Sequence, residues 1–257
     1  MPAALPDLVL ALPHLVLLPG TLCDERVFAP LIAALDKEFG ALPHDVLMTS
    51  HQTSMRSAAE HVLAVAPASF ALLGFSLGGI LALEIAALAP DRVLGLALLN
   101  VNAAPAPAQT HAERRAAVSQ AQTMGHAEYL RKHLWPSYVA APAQQNTALQ
   151  DLIATMAEDL GHTAFSNQTE AALTRRDYRP LLPTLTMPTL VQAGEQDSIC
   201  PAAAQQQLAQ ALPNAVFTVI PQAGHFALLE QQDAVAASVA GWFHAVLERY
   251  HSSQERQ

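Results

Sequence analysis

The chain has 257 residues, 51% of them apolar, and a formal net charge of −9. That length and apolar content suit one α/β domain with an insertion and exclude a disordered chain. The acidic balance argues against a nucleic-acid partner.

The first residues are apolar but carry Asp7 and are broken by Pro2, Pro6 and Pro13, with no basic leader. A signal peptide is not expected there. No uninterrupted apolar run approaches a membrane span, so no membrane partner is expected either. The two cysteines, Cys23 and Cys200, are too few for a disulfide framework. They point to reduced thiols in the cytoplasm, although a single bridge between them stays open.

Apolar runs and helical spacings then alternate along the chain. Residues 8–11 predict a short first strand and residues 14–18 a stronger one, ended by Pro19-Gly20. Residues 27–37 predict a helix with Phe28, Leu31, Ile32 and Leu35 at helical spacing. A strand is expected near residues 45–47. The helix over 54–65 should turn Met55, Ala58, Ala59, Val62 and Val65 to one side. Residues 70–73 form an apolar strand, followed by Gly74-Phe75-Ser76-Leu77-Gly78 and a helix that Pro90 stops. Residues 93–99 read as a further, wholly apolar strand. Such strands alternating with helices predict a parallel sheet covered on both faces.

From Ala104 the pattern changes. Residues 104–182 show helical spacing, Pro105, Pro107, Pro136 and Pro142, and no convincing strand. Strands return at 190–193 and 215–220, with helices at 201–212 and 232–249. The expected organisation is therefore a core of residues 1–103 and 183–257 with a helical cap of residues 104–182. The cap should sit over the carboxyl ends of the strands, where ligands bind in open α/β sheets. It holds seven of the thirteen basic residues: Arg114, Arg115, Arg131, Lys132, Arg175, Arg176 and Arg179. These read either as solvated helix faces or as the approach for an anionic substrate or acidic carrier.

The chemistry centres on Ser76. A serine between glycines, after a strand and before a helix, sits on a sharp turn that exposes its hydroxyl near the positive end of the helix. It needs a base, and of eleven histidines only His225 lies in a glycine-punctuated loop (Ala223-Gly224-His225-Phe226) between the last strand and the last helix. A carboxylate must orient that imidazole. Asp197, in Gly194-Glu195-Gln196-Asp197 after a strand, is the first choice and Glu195 the second. The order Ser76, Asp197, His225 is the one that accompanies such an elbow. Oxyanion donors are expected from the backbone N–H of Leu77 and of Thr21, with Leu22 the alternative to Thr21. Thr21, Leu22, Phe75, Leu77, Met124, Trp135, Tyr138 and Phe165 are the candidate pocket walls. No cluster has metal-ligand spacing and no glycine loop has a dinucleotide or phosphate pattern, so neither a metal nor another cofactor is expected.

With these motifs assembled, the chain resembles serine hydrolases of the α/β-hydrolase superfamily over almost its whole length. Leu17-Leu18-Pro19-Gly20 through Phe28 resembles the oxyanion loop, and Gly74 through Val101 the elbow, its helix and the next strand. Pro188 through Pro201 resembles the acid loop, and Gly224-His225 the histidine loop. Within the superfamily the chain is similar to capped carboxylesterases such as the pimeloyl-carrier-protein methyl ester esterases of biotin synthesis, a likeness to which Arg176-Asp177-Tyr178-Arg179-Pro180 adds. It departs from many relatives in having Pro19-Gly20 where they have His-Gly. The resemblance implies an α/β-hydrolase fold and a carboxylic ester hydrolase acting through an acyl-enzyme on a small or medium acyl ester, anionic or carrier-bound substrates included. Serine at the elbow argues against relatives that need aspartate there, of the epoxide hydrolase and haloalkane dehalogenase type. Carbon–carbon bond hydrolysis, thioester cleavage, acyl transfer and a non-catalytic ligand-binding role are the alternatives.

Overall fold

Side-chain alternation along the short apolar strands divides the interior into two cores. In the computed structural model, which describes residues 12–254, strand β1 (Leu15–Leu18) has all four side chains buried. Leu15 and Leu17 enter one core, while Val16 and Leu18 enter the other. The period-2 pleat of a strand buried on both faces produces this division. The strand expected over residues 8–11 lies outside the described residues.

The remaining strands are β2 (His44–Val46), β3 (Phe70–Phe75), β4 (Val93–Leu99), β5 (Thr189–Gly194) and β6 (Ala215–Ile220). They form one sheet in the order β2-β1-β3-β4-β5-β6, and every pairing is parallel. All six strands therefore end on the same edge, and side chains distant in sequence meet there.

Helices cover both faces. Helix α1 (Ala29–Phe39) follows a 3-10 turn (Glu25–Val27) whose N-cap, Asp24, accepts from the Arg26 amide. The helix expected over 27–37 thus begins two residues later, with Pro30 in its first turn where a missing N–H does no harm. Helix α2 (Met55–Val65) buries Met55, Ala58, Ala59 and Val62. Val65 is 57% exposed, because it closes the helix beyond the edge of the core. Helix α3 (Leu77–Leu88) is apolar on nearly all sides and buried from Leu77 to Ala86.

Between β4 and β5 the chain is helical: α4 (His111–Met124), α5 (His126–Tyr129), a π-helical turn (Leu130–Leu134), α6 (Trp135–Tyr138) and α7 (Thr147–Leu173). Gly161, at φ 69°, breaks α7 into two helical pieces. The two ends of this segment meet, with the Tyr178 amide donating to the Ala103 carbonyl at 3.0 Å. Arg176 anchors the exit to α3 through Glu84, at 2.8 Å from a carboxylate that is only 4% exposed. Helices α8 (Ala202–Gln210), α9 (Ala227–Glu230) and α10 (Gln232–Gln254) complete the chain. No helix among the described residues is long and apolar enough to cross a membrane.

Candidate active site

The turn after β3 holds Ser76 at φ 51° and ψ −114°, a conformation that L-residues rarely adopt. Close packing enforces it. A Cβ on Gly74 would lie 2.4 Å from the Gly78 carbonyl oxygen, and one on Gly78 would lie 2.0 Å from the Leu18 carbonyl oxygen of β1. The elbow is therefore wedged against the neighbouring strand as well as against itself. Leu22, Asn100 and Gln222 are the other non-glycine residues at positive φ among those described. Each follows a strand end on the same edge of the sheet.

From that corner Ser76 Oγ lies 2.9 Å from His225 Nε2. On the other side of the ring, His225 Nδ1 lies 2.9 Å from Asp197 Oδ2. His225 and Asp197 are 3% and 4% exposed, whereas Ser76 is open to the cleft. The parallel sheet thus brings together three residues from the ends of β3, β5 and β6. The arrangement can pass a proton from the hydroxyl to the imidazole while the carboxylate holds the tautomer with Nδ1–H.

Glu195, the second-choice carboxylate, is exposed and accepts from the Gln222 amide at 2.9 Å. It does not face His225. Asp197 sits in a cage of donors: its Oδ1 accepts from the amides of Ile199 (2.8 Å) and Cys200 (2.9 Å), and its Oδ2 also accepts from Asn100 Nδ2 (2.7 Å). Burial works to raise its pKa. The hydrogen bonds from His225, Asn100 and the Cys200 amide outweigh burial and hold the carboxyl below its ordinary value. Asn100, which cannot supply a charge, serves the acid by orienting it.

Thr21 and Leu77 both line the cleft beside Ser76. The Leu22 amide is committed elsewhere, donating to Gln168 Oε1 of α7 at 2.9 Å. Of the two candidate amides in this loop, that of Thr21 is the one left available at the cleft. Cys23, behind it, is buried, and burial pushes its thiol far above the ordinary value. Cys23 and Cys200 are both free.

The cleft has a volume of about 310 Å³. Of the expected walls it is lined by Thr21, Phe75, Leu77, Tyr138 and Phe165. Leu22, Met124 and Trp135 do not line it. Leu22 is 2% exposed and turned into the core, Met124 packs against that core, and the Trp135 indole donates inward to the Gln144 carbonyl at 3.2 Å. The cleft also takes Asn100, Arg114, Tyr129, Gln168, Arg175 and Cys200. Of these, only the arginines carried a sequence signal, the concentration of positive charge in residues 104–182.

Comparison with known proteins bears on the family and the fold. A family model described as alpha/beta hydrolase fold matches residues 62–232. The chain belongs to that family. This hydrolase is 32% identical over 240 residues to the pimeloyl-[acyl-carrier protein] methyl ester esterase of Chromobacterium violaceum, covering 88% of this chain and 92% of that one. Its fold is shared with a thermophilic esterase from Thermogutta terrifontis (TM-score 0.80, 22% identity, 91% of this chain and 90% of that one). It is shared equally with the enol-lactonase from Burkholderia xenovorans LB400 (TM-score 0.79, 24% identity, 91% and 92%).

One grouping in the hydrolase is invisible in sequence spacing. Ligand atoms of Asp197, Cys200 and His225 lie within 4.8 Å of one another. The donor set does not suit a metal, because both Asp197 oxygens already accept from N–H groups and burial pushes the Cys200 thiol well above its ordinary value.

Proposed function

We propose that this hydrolase cleaves a carboxylic ester of a small or medium acyl group through an acyl-enzyme intermediate. Ser76 Oγ attacks the ester carbonyl as His225 Nε2 takes its proton. The amides of Thr21 and Leu77 stabilise the oxyanion. His225 then protonates the departing alcohol, and water enters by the same route, activated by His225, to release the acid and restore Ser76. Residues 104–182 act as the cap that shapes the acyl pocket and limits access of bulk water.

The unbroken hydrogen-bonded relay from Ser76 through His225 to Asp197, opening on the cleft, carries this reading. Similarity to a methyl ester esterase supports ester substrates over other acyl compounds. The test is turnover of p-nitrophenyl esters of increasing acyl length by the native protein and by Ser76→Ala. A burst or steady release that falls about 10⁴-fold or more in the variant is expected. Equal release by both proteins would overturn the mechanism. Running the reaction in isotopically labelled water separates hydrolysis from acyl transfer, because only hydrolysis must place the label in the acid.

A further inference from the structure

Arg175 is the only lysine or arginine in the buried class among the described residues, at 7% exposed, and it lines the cleft. Its Nε donates to the Ala104 carbonyl at 2.8 Å and its Nη1 to the Ala172 carbonyl at 3.0 Å. No carboxylate pairs with it, and its Nη2 has no partner. The other arginines of the segment behave differently: Arg115 pairs with Glu170, Arg131 with Asp151, Arg176 with Glu84 and Arg179 with Asp177. The exception is Arg114, which lines the same cleft, is exposed, and makes no ion pair or hydrogen bond.

The two unpaired cations are neighbours. Burial, and after it the charge of Arg114, works against the Arg175 guanidinium. Both also act on Cys200, whose thiol burial and Asp197 push upward and the two arginines pull back. Cys200 is three residues from Asp197, so this cationic wall stands beside the Ser76–His225–Asp197 relay. A buried guanidinium next to a second cation is unfavourable unless an anion joins them. Five N–H donors in a fixed fork, two of them engaged, leave Arg175 suited to bind a planar carboxylate.

We propose that Arg175 and Arg114 form an anion subsite inside the cleft, and that the substrates are esters bearing a second, ionised carboxyl group, such as half-esters of short dicarboxylic acids. The proposal rests on the hydrolytic reading above and names its substrate class. The cleft volume fits a small acyl group placed with its ester at Ser76 and its carboxylate at Arg175. Charge-assisted bonds in a partly desolvated pocket are strong enough to dominate such a choice.

The experiment compares kcat/KM for monomethyl esters of dicarboxylic acids of rising length with those of uncharged methyl esters of matching length. It uses the native protein, Arg114→Met, Arg175→Lys, Arg175→Met and, as a control outside the cleft, Arg131→Met. The native protein should prefer the charged ester at least tenfold, about 1.4 kcal/mol. That ratio should fall towards one in Arg114→Met and Arg175→Met, stay partly in Arg175→Lys, and be unaltered in Arg131→Met. Arg175 also closes the end of α7, so Arg175→Met can lose stability. Arg114 has no such contact, and its variant keeps the ratio measurable. A purely structural Arg175 would lower both rates and leave the ratio unaltered, and that result overturns the proposal.

Calorimetric titration of Ser76→Ala with monomethyl adipate and with methyl hexanoate separates this idea from the hydrolytic one. Turnover of both esters without charge preference removes the subsite alone. Charge-selective binding to Ser76→Ala that weakens with salt, with no turnover by the native protein, removes ester hydrolysis and leaves the subsite.

Discussion

The amide of Leu22 donates to Gln168 Oε1 at 2.9 Å across 146 residues of sequence, joining the loop beside Ser76 to helix α7. Both ends are buried, at 2% exposure each, and Leu22 holds a positive φ of 55°. The bond fixes the loop that presents the Thr21 amide. Through Gln168, the helical segment sets the shape of the proposed oxyanion site. Replacing Gln168 by Leu leaves a buried N–H unpaired, which destabilises by about 1–3 kcal/mol. We expect kcat on a p-nitrophenyl ester to fall about tenfold with KM little altered. That is less than the roughly 10²–10³-fold that complete loss of an oxyanion donor costs, because the Thr21 amide is displaced rather than removed. Gln168→Glu keeps an acceptor and should recover most of that loss. Steady-state kinetics on the two variants decide the point, and equal kcat values would show that the bond only supports packing.

Asp197 is caged by donors that suit only its charged form. Asp197→Asn removes the charge and sets an NH₂ group against N–H donors, so kcat should fall about 10³–10⁴-fold. The cage also makes a pH prediction. Net hydrogen bonding holds the folded carboxyl below the ordinary value. Its stabilising contribution is therefore full above the unfolded value of about 3.9 and is lost as pH falls through the lower folded value. Urea midpoints below pH 5 should drop more steeply for the native protein than for Asp197→Asn.

Glu230 ties the histidine loop to the helical segment. One of its oxygens accepts from the Gly224 amide at 2.9 Å, next to His225, and the other from the Ala140 amide at 2.7 Å. Glu230→Ala frees both donors, so a stability loss of about 2–4 kcal/mol is expected. Catalysis should fall with it, as His225 loses its support. Burial raises the Glu230 carboxyl above its ordinary value, against the pull of the two amides. A raised folded pKa contributes stability below the unfolded value that is lost as pH rises through the folded one. The gap in urea stability between native and Glu230→Ala should accordingly narrow as pH rises from about 4 towards neutrality. A gap that widens would contradict the assignment.

Strain at Ser76 separates two ways of removing its hydroxyl. Ser76→Ala keeps a Cβ at φ 51°, whereas Ser76→Gly does not. Both should lose activity, yet the glycine variant should be the more stable by about 1 kcal/mol. Thermal denaturation of the pair measures the difference directly. Equal melting temperatures would place the elbow under no strain.

Much of this molecule was legible in its residues because the signals are local. The apolar runs at 93–99 and 215–220 are strands with those very bounds, and glycine punctuation marked the turns that carry Ser76 and His225. Strand β4 is buried along nearly its whole length and so is apolar throughout. Strand β6, at the sheet edge, leaves Val216 and Val219 exposed and is marked instead by its β-branched residues. A turn with forbidden dihedrals must be relieved by glycine nearby. Those constraints act within a few residues, so sequence alone determined the parallel sheet, the elbow and the loops. Tertiary structure decided which way side chains point once the loops are packed. Asp197 rather than Glu195 faces His225, because the two loops are zipped together by the Glu195 and Gln196 amides donating to Ile220 and Ala223. Leu22 and Trp135 turn away from the cleft, because partners 146 and 9 residues distant hold them. Composition shows a cluster of arginines, and Arg179 finds Asp177 only two residues away. Whether Arg115, Arg131 and Arg176 find carboxylates depends on how α4, the π-helical turn and the exit of the segment meet α7 and α3. Arg175 is left buried and unpaired only by that long-range packing.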